Sequence, residues 1–278
     1  MGSALPEKVV PLRAGGSRPP LYCVHAIAGS AYAYDGLARL LDPDQPVYGF
    51  ESPGFDDDRE PVTVLEDLAA EYVDELLKWR PGESYRLLGW SMGGALAFAM
   101  AQRLVAAGAE VPMLIVVDSS VPTKPWLPSE QEMLRTYLVD LKGLAGGDPT
   151  EGVDELFAQL PPDPAPSKVF EHMASTKALL DDISYDFLWQ GWVLFRAHAE
   201  ALYGYEIREQ YHGPLTFIAA SHSPMEIMRW ETVASDVRKY RVPGNHFSIW
   251  RGESLAAMSA IVTRALEASW PATTTPGS

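Results

Sequence analysis

Short apolar runs alternate with amphipathic stretches along most of this chain, and that alternation limits the folds open to it more than any other feature. LYCVHAI (21–27), PVYGF (46–50), SYRLLGW (84–90), VPMLIVVD (111–118), PLTFIAA (214–220) and VRKYRV (237–242) read as strands. Between several of them, VTVLEDLAAEYVDELLKW (62–79) and GGALAFAMAQRLVAAG (93–108) carry apolar residues at three- and four-residue spacing, and the second stops at Gly108. Strand and helix taken in turn give an α/β fold with a mainly parallel central sheet, because each parallel connection needs a long crossover that then covers a face of the sheet.

The alternation breaks between about Val121 and Gly213. SEQEMLRTYLVDLKGL (129–144), VDELFAQL (153–160), SKVFEHMASTKALL (167–180) and YDFLWQGWVLFRAHAEALYGY (185–205) read as helices, punctuated by AGGDPTEG and PPDPAPS. The expectation is one domain over 1–278: a core from 8–121 and 213–270, a helical lid inserted over about 122–212, and a flexible tail at 271–278.

Charge narrows the partners. With 22 Lys and Arg against 37 Asp and Glu, the net charge of −15 repels a phosphate backbone, so no nucleic acid is expected. No run approaches the ~18 apolar residues of a membrane span. MGSALPEKVV lacks the basic flank and apolar run of a signal peptide, and Cys23, the sole cysteine, leaves no internal disulfide; both point to the cytoplasm.

Chemistry enters at Gly89-Trp90-Ser91-Met92-Gly93. A chain this long meets a bare GxSxG by chance about one time in ten, so the context decides. An apolar strand pattern enters the motif and an alanine-rich helical pattern leaves it, as a nucleophile elbow requires. Glycines two residues either side of the serine remove collisions on a sharp turn. That turn sets Ser91 at a helix N-terminus, where exposed N–H groups favour a developing negative charge.

A serine hydroxyl needs a base, and the base needs an orienting carboxylate. Among six histidines, His246 in PGNHFSIW follows the last strand and precedes the final helix, in the chain order serine, acid, histidine that this elbow implies. His222 follows the previous strand. For the acid, Asp118 ends a strand and is better fixed than Glu226, which sits several loop residues beyond the next one. The oxyanion donors are expected to be the N–H groups of Met92 and of Ile27, with Ala28 next, since Gly29 lets the early loop approach the elbow. His25 reads as a structural histidine beside the site and Cys23 as core filling.

Taken together, CVHAIAGSAYAYDGLARLL, PVYGFESPGF, YRLLGWSMGGALAFAMAQRL, LIVVDSS and YRVPGNHFSIW resemble the thioesterase domains that end nonribosomal peptide and polyketide assembly lines, which are α/β-hydrolases. In that family the acid follows the strand after the nucleophile's helix, which favours Asp118. The family's early loop usually reads histidine, proline, small residue; here Ala26 stands at the proline's place. The resemblance implies an acyl or peptidyl chain delivered on the phosphopantetheine arm of a carrier protein, with no bound cofactor and no metal. Release would be by hydrolysis or macrocyclisation through a Ser91 acyl-enzyme. A freestanding editing thioesterase or a general lipase or esterase would share the same three residues.

The lid helix at 185–205 carries Phe187, Trp189, Trp192, Phe195, Tyr203 and Tyr205. Trp189, Trp192 and Phe195 are candidates for an apolar substrate channel. Lys124, Arg135, Lys142, Lys168 and Lys177 are candidates for a local basic patch that receives an acidic carrier.

Overall fold

The computed structural model describes residues 4–122, 126–178, 180 and 183–270. Seven strands form one sheet: β1 (Val9–Arg13), β2 (Leu21–Val24), β3 (Val47–Phe50), β4 (Arg86–Trp90), β5 (Met113–Val117), β6 (Tyr211–Ala220) and β7 (Ala234–Val242). Their order is β1-β3-β2-β4-β5-β6-β7, with β1 antiparallel to β3 and every other pair parallel. The six strands expected from the sequence are all present. The first stops at Val24, so His25, Ala26 and Ile27 leave the sheet as loop. β1 was not foreseen: Pro11 interrupts its pattern, and the strand tolerates a residue without an N–H because it is the sheet's edge, with a register shift between Pro11 and Arg13.

The middle strands are apolar but for Arg86, whose guanidinium bonds to Ser84 and Ser269, because both faces are covered. All five residues of β4 and of β5 are buried. On one face lie α2 (Leu65–Trp79) and α3 (Met92–Ala106); on the other, α1 (Asp35–Leu40) and α9 (Gly252–Ala268). α3 is buried on nearly every side over its first ten residues, which its small residues permit, since Gly and Ala let a helix approach the sheet and its neighbours closely. α8 (Met225–Met228) is a single turn after β6.

Between β5 and β6 the chain is helical, as expected of the lid. α4 (Glu130–Ala145) begins at a capping box formed by Ser129 and Glu132 and ends at Gly146 with φ 94°. α5 (Val153–Ala158), α6 (Pro166–Thr176) and α7 (Tyr185–Gly204) follow. α6 ends four residues before the periodicity suggested, where Lys177 turns left-handed at φ 56°. A cluster of Tyr137, Phe170, Trp192 and Phe195 holds α4, α6 and α7 together, with ring centroids 5.4–6.5 Å apart. The tail at 271–278 lies outside the described residues. No helix among the described residues is long and apolar enough to cross a membrane.

Candidate active site

Ser91 sits on the step from β4 to α3 with φ 57° and ψ −129°, a backbone conformation a non-glycine residue adopts only at a cost of ~1–3 kcal/mol. The flanking glycines make that step possible. A Cβ at Gly89 would lie 1.8 Å from the carbonyl oxygen of Gly93, and one at Gly93 would lie 2.4 Å from Val24 O and 2.5 Å from His25 O. The second clash also shows that the early loop lies directly against the elbow. Ser91 N–H donates to Val117 O at 3.0 Å, tying the elbow to the end of β5.

The first residue beyond β5 is Asp118, with φ 44° and a side chain almost wholly buried. Its Oδ1 accepts from Ala220 N at 2.8 Å; its Oδ2 accepts from Ser223 Oγ at 2.9 Å and from His246 Nδ1 at 2.7 Å. Burial by itself would raise this carboxyl. The hydrogen bond and charge of His246, with the Ala220 and Ser223 donors, outweigh burial and hold it below the usual aspartate value. Glu226 is placed elsewhere: it is exposed and pairs with Arg241 at 2.6 Å.

His246 follows β7, and its ring packs on Trp90, centroids 5.0 Å apart. Because Nδ1–H donates to a carboxylate, Nε2 is left with its lone pair, the tautomer a base requires. Ser91 and His246 line one cavity of about 450 Å³ together with Met92 and Asp118. Ser91 Oγ makes no hydrogen bond among the described residues, so the hydroxyl is free to turn toward an incoming group.

Met92 opens α3, so its N–H has no acceptor inside the helix. The early loop is built by Gly29, with φ 85°, whose N–H donates to Ala26 O at 2.9 Å and whose carbonyl accepts from Ser52 N–H at 2.9 Å. The N–H groups of Ile27 and Ala28 have no acceptor among the described residues. Cys23 is fully buried in β2, and burial raises its thiol far above the thiolate range, consistent with core filling. His222 is exposed and distant in role, its N–H donating to Gly244 O.

The lid differs from expectation. Trp192 and Phe195 are buried in the lid's own aromatic cluster, and Trp189 is 40% exposed and stacked on Tyr185 at 6.1 Å; none of the three lines the cavity. Its apolar wall is instead Val121, Pro122, Trp126, Leu202, Tyr203 and Met228. Trp126 stands edge-on to Tyr203, centroids 6.0 Å apart. Trp126 was missed because it lies in a proline-flanked stretch without periodicity. The basic candidates do not form a free patch: Arg135 pairs with Asp154, Lys142 with Glu151, and Lys168 with Glu171. Lys124 lies outside the described residues.

A parallel sheet of this order, with a serine on the strand-to-helix elbow and an Asp-His pair on later loops of the same edge, defines an α/β-hydrolase. Residues 19–265 match the family described as Thioesterase domain, and the chain belongs to that family. A probable non-canonical nonribosomal peptide synthetase, CymA of Salinispora arenicola (strain CNS-205), is 30% identical over 267 residues, which is 94% of this chain and 3% of that protein. The chain spans 2–6% of the length of the first curated relatives it matches. Among solved structures, the four-domain nonribosomal peptide synthetase holo-AB3403 superposes with a TM-score of 0.80 at 26% identity, covering 93% of this chain and 20% of that one. The NocB thioesterase domain, solved as a covalent complex with a fluorophosphonate nocardicin G analogue, gives 0.65 at 25% identity, covering 93% of this chain and 99% of that one.

Proposed function

We propose that this chain releases an acyl or peptidyl group from the phosphopantetheine thioester of a carrier protein, through an acyl-enzyme on Ser91. The observation that carries the reading is the 2.7 Å bond from His246 Nδ1 to Asp118 Oδ2 at the cavity that Ser91 lines. Ser91 Oγ forms a bond to the thioester carbonyl carbon as its proton passes to His246 Nε2. The carbonyl oxygen becomes an oxyanion, held by the N–H groups of Met92 and Ile27. Collapse breaks the carbon–sulfur bond, and the Nε2 proton goes to the departing pantetheine sulfur as a thiol.

In the second half, water or a hydroxyl or amine of the acyl chain itself attacks the ester, giving its proton to Nε2. Ser91 then leaves with that proton restored to Oγ, and the product is a linear acid or a ring. Asp118 stabilises the imidazolium formed in each half, and its several donors keep it ionised for that task. The apolar wall from Val121 to Met228 suits an apolar acyl chain. Similarity to multidomain synthetases supports a carrier as the donor, and the arm then belongs to the substrate.

One experiment tests both parts. A single acyl group is presented on a carrier protein and on a free pantetheine mimic, to the wild type and to Ser91→Ala. Wild type should accumulate an ester adduct on Ser91 by intact mass, Ser91→Ala should accumulate none, and kcat/KM should favour the carrier, whose docking raises the local thioester concentration toward the millimolar range. An adduct on Ser91→Ala would remove the nucleophile assignment; equal kcat/KM for the two donors would remove carrier docking.

A further inference from the structure

His198 belongs to the lid, on α7, yet its ring is buried against the body of the domain. Nδ1 lies 2.6 Å from Ile27 O and Nε2 2.8 Å from Ser52 Oγ. A carbonyl only accepts, so Nδ1 carries the proton and Nε2 is left as an acceptor facing the Ser52 hydroxyl, whose one proton is within reach of both Nε2 and Pro53 O at 2.9 Å. The ring stacks on His25, centroids 5.1 Å apart and planes 23° apart. His25 in turn donates from Nδ1 to Ala26 O at 2.7 Å, and its Nε2 lies 2.8 Å from Tyr72 OH, whose one proton is within reach of both Nε2 and Glu51 O at 3.0 Å. Burial lowers His198 to about 4, and burial with the adjoining His198 lowers His25 to about 3, so two neutral rings stack without repulsion.

These bonds fall on the two peptide units that matter for the oxyanion. In a trans peptide the C=O and N–H point in opposite directions, and the structure has no cis bond among the described residues. Fixing Ala26 O therefore aims Ile27 N–H, and fixing Ile27 O aims Ala28 N–H and locks Ile27 from its other side. Ala26 leaves this loop without a proline's fixed φ, so hydrogen bonds must supply the rigidity. The same face of α7 continues to the substrate cavity. Leu194, one turn before His198, packs on Gly29 of the loop; Leu202, one turn after it, and Tyr203 form the cavity wall.

We infer that His198 is a positioning residue for the oxyanion loop, through which α7 couples the filling of the acyl cavity to the aim of the oxyanion donors. The inference rests on the reading of Ser91, Met92 and Ile27 given above. An acyl chain that presses on Leu202 and Tyr203 acts on a helix whose next two turns hold Ile27 O and Gly29. A short acyl group leaves that face untouched.

The two amide replacements of His198 separate positioning from packing. In His198→Asn the side-chain nitrogen takes the place of Nδ1 and keeps the donor to Ile27 O; in His198→Gln the amide takes the place of Nε2 and keeps only the Ser52 contact. Turnover is measured with the octanoyl and acetyl thioesters of N-acetylcysteamine, alongside the rate of Ser91 labelling by a fluorophosphonate, on the full chain. His198→Asn should keep kcat within about threefold of wild type. His198→Gln should lower octanoyl kcat and labelling about 10–100-fold with KM nearly unchanged, short of the 10²–10³ of losing a donor outright, and should bring the octanoyl and acetyl kcat values together. Ser52→Ala, which removes the hydroxyl that faces His198 Nε2, should lower octanoyl kcat several-fold and serves where a His198 variant does not fold. Equal kcat losses in the Asn and Gln variants, or unchanged kcat in His198→Gln or Ser52→Ala, would overturn the coupling. A wild type that neither turns over nor labels at Ser91 would instead overturn the reading of the site, and this inference with it.

Discussion

At the carboxyl edge of the sheet a functional side chain is placed by the strand that ends beneath it, whereas in the lid the same kind of residue can face either of two interiors. Ser91 and Asp118 are the first residues beyond β4 and β5, both at positive φ, and both are held by backbone bonds to neighbouring strands. Trp192 and Tyr203 lie on one helix, yet Trp192 fills the lid's own core and Tyr203 walls the cavity that Ser91 lines. A strand end has one direction to offer; an amphipathic helix between two apolar spaces has two.

The largest expected effect breaks the comparison on the sheet side. Asp118→Asn should lower kcat/KM by about 10⁴, because the amide can donate to His246 Nδ1 and so favours the wrong tautomer. Glu226→Gln should stay within a few-fold, since its carboxylate is exposed and pairs with Arg241 at the surface. The check is kcat/KM for one thioester on both purified variants, and a reversed ranking would move the acid to the loop after β6.

A smaller effect sharpens the lid side. Trp192→Ala empties a site that is 1% exposed and should cost about 3–5 kcal/mol of stability. Trp126→Ala, 60% exposed at the cavity mouth, should leave urea unfolding nearly unchanged while shifting kcat/KM between long and short acyl groups. If Trp192→Ala instead changed acyl preference at wild-type stability, the lid core and the cavity wall would have to be exchanged.

The same geometry explains how much was legible beforehand. Parallel strands buried on both faces announce themselves as apolar runs, and the glycines around Ser91 mark a turn that few other residues permit; the fold, Ser91 and His246 follow from those local rules. Asp118 over Glu226 was already favoured by its place at a strand end, and the structure adds the bonds from Ala220, Ser223 and His246 that fix it. β1 was hidden by Pro11, and Trp126 by a segment with no period. The division of α7 was hidden more deeply. Helical spacing reports that a face is buried and is silent on whether lid, loop or substrate buries it, so Trp189, Trp192 and Phe195 carried the same signal as Leu202 and Tyr203. Nor does any local pattern announce the stack of His25 on His198, which depends on residues 173 positions apart meeting in the fold.

The smallest effect reads the contact between the two regions through pH. In the unfolded chain both histidines take up a proton near 6.5, while in the folded chain burial holds His198 to about 4 and, with His198 beside it, His25 to about 3. The unfolded state therefore binds more protons below 6.5, and this part of the stability is present above that pH and lost as pH falls toward the folded values. On the other side, burial raises Asp140 of α4 to about 6 against the pull of His246, so here the folded state binds the extra proton and stability rises as pH falls through 6. At ~1.4 kcal/mol per proton per pH unit, two histidines against one carboxyl leave a net loss of about 1 kcal/mol between pH 6.5 and 5.5. Tyr72 and the Ser52 hydroxyl, which face the two rings, stay protonated throughout that range, and Glu51, whose carboxyl burial raises, acts in the same sense as Asp140. Urea unfolding at the two pH values measures the loss directly. His198→Phe should flatten it by removing one of the two protons, and Asp140→Asn should steepen it by removing the opposing one. The opposite pair of changes would mean that the lid meets the body through different groups from those that hold the loop after β2.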